Sequence, residues 1–365
     1  MASSFATPLP QSPRSEILEW RFPKPYHNFT LVGRSRAAWH TSFVVPQLNL
    51  LLDAGLVVNN IRPKHIFLTH GHSDHTLLAP AFLKRSDPPD IYCPAEMGGA
   101  LDAFLDAKTM LNEGGGLWPP QSKSPYLKLP PMADPDPSSD DPSTETTPTT
   151  TTTKPLPRPA TIHPFLQTHT THPLSPGTTV PLTRLPPSQL YTATAFPCIH
   201  TIPCIGYLFS TTTPKLNPSF ASLPPSELAA LRAQGTPLTV PVTTPVFAFL
   251  GDTTPAVFST APLVDWLAGG LKVVITECSF LYEGHKTQAE RTMHTHWEDL
   301  EGVVRRWPGT VFVLTHFSMR YSDGEVAGFF RGLEGGVPGN GVVWVDGVAG
   351  KEGVNKEEEE KWEEM

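Results

Sequence analysis

Seven consecutive residues constrain this chain more than any other feature: Thr69-His70-Gly71-His72-Ser73-Asp74-His75. They follow an apolar run at 66–68 that reads as a buried strand, and they set three histidines and an aspartate within six positions. On a helix His70 and His72 would point to different sides. On a tight loop leaving a strand, with Gly71 relaxing the backbone, all four side chains can converge. Imidazole nitrogens and a carboxylate oxygen suit Zn2+, with Mn2+ or Fe as alternatives. The plainer reading, a polar loop in which histidines happen to cluster, leaves four ligand types behind one buried strand unexplained.

The rest of the chain alternates short strands with helices. Strand candidates fall at 29–32, 43–45, 48–52, 66–69 and 91–93, then at 190–196, 205–210, 246–250, 271–276, 311–314 and 342–345. Helical spacing predicts helices at 95–111, 226–233, 264–267, 297–306 and 325–333. Many short strands with helices on either side imply an α/β fold of two sheets packed face to face, helices outside. Asp53-Ala54-Gly55 reads as a turn ending a strand.

Between 118 and 187 the composition changes abruptly. Asp134-Pro135-Asp136-Pro137, the threonine run at 149–153 and Pro155-Leu156-Pro157 cannot build a packed core. Core-like sequence resumes afterwards, so the stretch reads as a disordered Pro/Thr-rich surface insertion. His163, His169 and His172 lie inside it and, without rigid neighbours, are taken as incidental and not as ligands. The chain then divides into a disordered leader at 1–19, a folded domain at 20–350 and an acidic tail at 351–365. The insertion at 118–187 and a short arm at 211–245 interrupt the domain.

At this point a resemblance appears. His-x-His-x-Asp-His is the signature of the metallo-β-lactamase superfamily, and Pro63-Lys64-His65-Ile66-Phe67-Leu68 before it resembles the ribonuclease Z version. Further segments resemble that family in the same order: Pro197-Cys198-Ile199-His200 with Gly206-Tyr207, Phe249-Leu250-Gly251-Asp252-Thr253-Thr254, and Thr276-Glu277-Cys278-Ser279-Phe280. His294-Thr295-His296 and Leu314-Thr315-His316-Phe317-Ser318, followed by Arg320-Tyr321, complete the set. The match runs from about residue 29 to about residue 347 and is nearest to the short, plant-like forms.

The resemblance implies the metallo-β-lactamase fold, an αββα four-layer sandwich, and two divalent metal ions as cofactors, Zn2+ first among them. It places one ion on His70, His72 and His200 and the other on Asp74, His75 and His316, with Asp252 bridging. Taken alone, His200 or His316 would more often be a satisfied core histidine, and Asp252 a turn residue. The implied activity is a metal-dependent endoribonuclease that cleaves the 3′ trailer from precursor tRNA with a hydroxide activated by the two metals. Asp74 counts among the catalytic residues as well as the ligands. Glu277 and His294 form the pair that protonates the leaving oxygen, since a carboxylate beside an imidazole favours the imidazolium. His296, two residues on, competes for that role, but His294 falls in register with the family. Arg320 either grips a substrate phosphate through its planar fork or pairs with a neighbouring acid.

Other readings bound these expectations. The net charge of −8 argues against a generally adhesive nucleic-acid binder. The arm at 211–245, where ribonuclease Z enzymes grip the tRNA body, carries Lys215 and Arg232 and little other positive charge. The alternative is therefore a phosphodiesterase or hydrolase of the same fold acting on a small-molecule substrate. A non-enzymatic scaffold is disfavoured, because a structural zinc needs four ligands and seven positions are intact. Cys93, Cys198, Cys204 and Cys278 show no paired C-x-x-C spacing and read as buried free thiols of a reducing compartment. No apolar run is long enough to cross a bilayer. The expected location is intracellular, cytoplasmic or nuclear, with organelle import left open. The resemblance also implies a homodimer, an assembly members of the family often adopt.

Overall fold

A computed structural model of the chain describes residues 7–8, 17–58, 61–84, 86–112, 166–187 and 189–347. The expected acidic tail, most of the expected leader, His163 and residues 118–165 of the expected insertion lie outside the described residues.

The first sheet holds β1 (Thr7–Pro8), β2 (Leu18–Arg21), β3 (Thr30–Arg36), β4 (His40–Val45), β5 (Leu50–Leu52), β6 (His65–Phe67), β7 (Asp90–Pro94) and β8 (Thr170–Leu174), side by side in that order. Its strands pair antiparallel as far as β5 and parallel from β5 to β8. Two helices follow its parallel strands, α1 (Ser73–Thr76) and α2 (Gly98–Asn112). The second sheet holds β9 (Thr179–Pro181), β10 (Tyr191–Cys198), β11 (Cys204–Leu216), β12 (Thr239–Phe249), β13 (Val273–Glu277), β14 (Val311–Thr315) and β15 (Gly341–Val343). Here too the pairing is antiparallel up to β12 and parallel beyond. The helices of this half are α3 (Pro225–Ala233), α4 (Leu263–Ala268), α5 (Lys286–Thr292), α6 (Trp297–Arg306) and α7 (Asp323–Gly332).

Successive side chains of a strand face opposite ways, and this period assembles the layers. Leu50, Leu52 and Phe67 of the first sheet join Phe247, Phe249, Ile275 and Val313 of the second in one buried cluster between the sheets. Their sequence neighbours point outward. Leu51 and Ile66 pack against Leu101 and Leu105 of α2, while Ala248, Val274, Phe312 and Leu314 pack against Leu267, Leu300, Val304 and Phe330 of the other helices. The result is helix, sheet, sheet, helix, the four-layer metallo-β-lactamase fold expected from the sequence. Each fully buried phenylalanine of the central layer contributes on the order of 2 kcal/mol or more by leaving water.

Several local expectations are corrected. The strand expected at 48–52 is shorter, because Pro46–Leu48 forms a 3-10 turn and Asn49 turns left-handed at φ 48°. Residues 166–187, read as part of a segment that cannot pack, do join the core. β8 pairs with β7, β9 pairs with β10, and Leu174 and Leu182 are buried between the sheets. The proline-rich composition hid two edge strands. Pro173 and Pro181 are tolerated there because an edge leaves one row of backbone groups unpaired, and the adjacent threonines are β-branched. His169 and His172 are held by Asp102 and Asp90 at 3.0 and 2.9 Å. The arm at 211–245 is the outer half of a long hairpin, where β11 and β12 run paired from Ser210 and Pro245 out to Leu216 and Thr239, with α3 between them.

Candidate metal centre

The parallel strands of both sheets end at the same edge of the sandwich, and their C-terminal ends carry the polar side chains. β5 runs into Asp53, β6 into Thr69 and His70, β12 into Asp252, β13 ends on Glu277 and β14 runs into His316. The turn between β10 and β11 adds His200. After the loop at 68–72 the chain makes the single turn of α1, which carries Asp74 and His75, and the His75 carbonyl accepts from Ala54 N–H at 2.7 Å. Asp53 and His316 sit in the left-handed region at φ 54° and 61°, costly for residues with a Cβ and typical of held functional geometry. Gly251 is required by closeness, since a Cβ there would lie 2.6 Å from Thr69 Cβ. Gly71 is not, because a Cβ there meets nothing nearer than Ile202 Cδ1 at 3.8 Å.

Two main clusters of donor atoms result, with Asp252 reaching both, and a third grouping joins Asp252 and His316 to His294. His70, His72, His200 and Asp252 offer atoms that all lie within 4.8 Å of one another, as do Asp74, His75 and His316. In the first, His72 Nδ1 is 3.1 Å from His70 Nε2 and 3.3 Å from His200 Nε2. Asp252 Oδ2 lies 3.6 Å from His70 Nε2 and 3.9 Å from His200 Nε2. In the second, His316 Nε2 is 3.3 Å from both His75 Nε2 and Asp74 Oδ2. Asp252 Oδ1, the other oxygen, is 3.4 Å from each of His75 Nε2 and His316 Nε2. A tetrahedron of ligands about 2.05 Å from a zinc ion has edges of about 3.3 Å. Most of these spacings fall within a few tenths of an ångström of that edge, so the donor set fits a pair of divalent cations in nature and in size.

The protonation states of five of these groups suit the same role. Burial, then repulsion from His75, holds His70 well below the ordinary histidine pKa, and burial lowers His72 and His200 as well. All three therefore present neutral nitrogens, the form a metal needs. Burial works against the Asp252 and Asp74 carboxylates, yet the surrounding histidines outweigh it and hold both below the usual range. Burial also opposes a charge on His75, but Asp252 and Asp53 overcome it and raise that group.

Each histidine but His72 is fixed from behind. His70 Nδ1 meets Thr69 Oγ1 at 3.0 Å, His75 Nδ1 donates to Asp53 Oδ2 at 2.7 Å, His200 Nδ1 donates to the Met293 carbonyl at 3.1 Å, and His316 Nδ1 meets Ser279 Oγ at 3.0 Å. Such partners select the tautomer and orient the ring. Asp53, Thr69, Ser279 and Met293 had no place among the expected site residues. Asp53 had a signal, a carboxylate ending an apolar strand, but Asp-Ala-Gly also spells a turn. For Met293, which contributes only its carbonyl, the side chain gives no signal.

Glu277 is buried and accepts four hydrogen bonds, from Thr253 N–H at 2.7 Å, Ser279 Oγ at 2.6 Å, Thr295 N–H at 3.1 Å and His294 Nδ1 at 2.9 Å. Burial disfavours a charged His294, but the Glu277 carboxylate and its hydrogen bond outweigh burial and lift the imidazole to about 9. His294 Nδ1 is 3.9 Å from Asp252 Oδ2, so it faces the clusters while committed to Glu277. His296 points elsewhere: it caps α6, its Nδ1 accepting from Glu298 N–H at 3.2 Å and its Nε2 donating to the Tyr282 carbonyl at 3.0 Å. Arg320 is exposed, with its guanidinium 5.8 Å from the centre of the Phe280 ring, which in turn lies 6.3 Å from the His294 ring. Among the described residues no carboxylate comes within 4.0 Å of it.

Residues 46–180 match the metallo-beta-lactamase superfamily. The chain is 24% identical over 306 residues to "tRNase Z TRZ2, chloroplastic" of Arabidopsis thaliana, covering 82% of this chain and 70% of that protein. It is 29% identical over 133 residues to "tRNase Z TRZ1" of the same plant, covering 36% of this chain and 47% of that protein. Among solved structures, the crystal structure of human tRNase Z, short form, aligns with a TM-score of 0.44 at 16% identity, over 79% of this chain and 92% of that one. No helix among the described residues is long and apolar enough to cross a membrane.

Proposed function

We propose, from the premise that this chain is a metal-dependent hydrolase of the metallo-β-lactamase fold, that it is an endoribonuclease removing the 3′ trailer from precursor tRNA. The observation that carries the reading is the shared carboxylate: the two oxygens of Asp252 face two separate histidine clusters, with the Glu277–His294 pair beside them. The likeness to a tRNase Z along 82% of the chain supplies the substrate class.

His70, His72, His200 and Asp252 would hold one cation, and Asp74, His75, His316 and Asp252 the other; imidazole and carboxylate donors favour zinc. When bound, such a pair supplies the acidity that ionises water near neutral pH and the charge that a phosphodiester in reaction requires. The protein's own part is at the leaving group. Cleavage at phosphorus releases an alkoxide that is a poor leaving group without a proton. His294, kept protonated and oriented by Glu277, donates that proton to the departing 3′ oxygen. Arg320, whose guanidinium sits on the Phe280 ring at 5.8 Å from its centre, beside His294, offers two N–H groups to a flanking phosphate. The four unpaired cysteines fit a reducing intracellular compartment.

One observation favours the second reading, a phosphodiesterase taking small molecules. The arm that would meet the tRNA body carries Lys215 and Arg232 and no other lysine or arginine, on a chain of net charge −8. The test is to incubate the zinc-loaded protein with a precursor tRNA bearing a 3′ trailer and with bis-p-nitrophenyl phosphate. Release of an intact trailer at a single site is expected. Turnover of the small ester alone would move the assignment to the second reading, and turnover of neither by metal-loaded protein would overturn both.

A further inference from the structure

The β10–β11 hairpin that presents His200 is closed by two cysteines. In its register Cys198 stands directly opposite Cys204, and both are free thiols. Directly opposed residues of an antiparallel pair point to the same face with Cα atoms about 4.5–5.5 Å apart. A disulfide needs a Cα separation of about 4.4–6.8 Å, so the opposed pair stands within bridging range while the sulphurs must still be drawn together. Cys93 and Cys278 are buried without any exposed surface, in different parts of the core. Cys198 is half-buried and lines, with Cys204 and His200, an open cleft of about 480 Å³.

The same two residues are tied to the metal centre. Cys204 Sγ donates to the Asp252 carbonyl at 3.3 Å and lies where a Cβ on Gly251 would come within 2.6 Å of it. Ile199, next to Cys198, donates its N–H to Thr253 Oγ1 at 2.9 Å and accepts from Thr254 N–H at 3.0 Å. The hairpin tip is thus fastened on both sides to the segment carrying the shared carboxylate.

We infer that Cys198 and Cys204 form an oxidative modification site whose co-reactant is a hydroperoxide, and that closing this disulfide withdraws His200 from the first metal position. Cys198, the accessible sulphur, is oxidised first: its S–H is replaced by S–OH as the peroxide O–O bond breaks and one water leaves. The Cys204 sulphur then attacks Cys198, forming the S–S bond and releasing the hydroxyl with the Cys204 proton as a second water. Two thiols have lost two electrons and two hydrogens, and the peroxide has taken them up. The sulphurs end about 2.05 Å apart. Cys204 Sγ leaves the Asp252 carbonyl, and the five-residue tip at 199–203 is drawn over the new bond. A nitrogen ligand tolerates little of this, since a zinc bond of about 2.0–2.1 Å does not survive a shift of an ångström.

The test treats the zinc-loaded protein with a few equivalents of hydrogen peroxide. The readouts are free thiols under denaturing conditions, the peptide linkage by mass spectrometry, bound zinc, and turnover of bis-p-nitrophenyl phosphate. Thiols should fall from four to two with a Cys198–Cys204 link. Zinc should fall from two per chain toward one, turnover should drop at least tenfold, and dithiothreitol with added zinc should restore both. Cys198→Ser should start with ordinary activity and keep it through the peroxide, and Cys204→Ser should keep whatever activity it starts with. Four thiols remaining, a link elsewhere, or an oxidised protein that retains its zinc and turnover would each overturn the inference. Because the readouts use no RNA, the result stands apart from the tRNA assignment.

Discussion

Glu277→Gln isolates what the carboxylate does for His294. The substitution keeps size and an acceptor oxygen but removes the charge that holds His294 at about 9 against an ordinary value of 6.5. Burial then acts against Asp252 alone, and His294 should fall toward 6.5. At pH 7.5 the wild-type imidazole is charged in about 97% of molecules and an imidazole at 6.5 in about 9%, a tenfold loss of the proton donor from occupancy alone. Misorientation of the ring adds to this, so cleavage of precursor tRNA should fall by roughly 10²–10⁴. The direction with pH follows. A proton donor works below its pKa, so the wild-type rate should hold through neutrality and fall as pH rises through about 9, whereas the variant's decline should begin below pH 6.5. Bis-p-nitrophenyl phosphate supplies the control, because its leaving phenolate needs no proton. Its turnover should change by less than threefold or so if the metal ligands are intact. The assay is kcat against pH for both substrates at saturating zinc. An equal loss on both would refute the reasoning and leave Glu277 as a structural anchor for Thr253, Thr295 and Ser279.

Three further expectations rest on separate parts of the molecule. Asp252→Ala removes the oxygen donors from both clusters at once, so bound zinc should fall from two per chain to one or none and both substrates should lose turnover; two zinc ions retained would show that the clusters are independent. Asp53→Asn leaves His75 Nδ1 without its charged acceptor at 2.7 Å, and zinc affinity measured by competition with a chelator should weaken by about 10–100-fold with the fold retained; unchanged affinity would make Asp53 a turn residue only. His40 is buried, its Nε2 has no hydrogen-bond partner among the described residues, and burial with Arg34 and Arg36 nearby lowers it to about 4. The unfolded state, with histidine near 6.5, binds more protons than the native state across this window, so stability falls as pH drops from about 6.5 to about 4. That amounts to about 2 kcal/mol between pH 7 and pH 5. Urea melts of the zinc-free protein at the two pH values should show the loss, and His40→Gln should lessen it by about that amount while the lowered His70, His72 and His200 keep their share; parallel losses in both proteins would place the sensitivity elsewhere.

Short continuous apolar runs determined much of the sandwich by themselves, because a strand such as Leu50-Leu51-Leu52 must bury both faces and so needs a layer on each side. The clustered His70, His72, Asp74 and His75 were legible for a related reason: ligands close in sequence converge through local backbone alone. Edge strands β8 and β9 were not legible, since Thr-Thr-His-Pro-Leu and Thr-Val-Pro become strands only when β7 and β10 offer free edges to pair with. His200, Asp252, Glu277, His294 and His316 were nameable only through resemblance, because nothing local distinguishes one strand-end histidine or aspartate from another. Tertiary structure decided which of them meet. The parallel strands of two sheets end at one edge, which brings Asp252 Oδ1 to His316 and Oδ2 to His70, and it separated His294 from His296 by turning one toward Glu277 and the other into the cap of α6. Hydrogen-bond geometry at a few tenths of an ångström distinguishes such neighbours, and it depends on contacts the local sequence does not encode, such as that of His70 with Asp252.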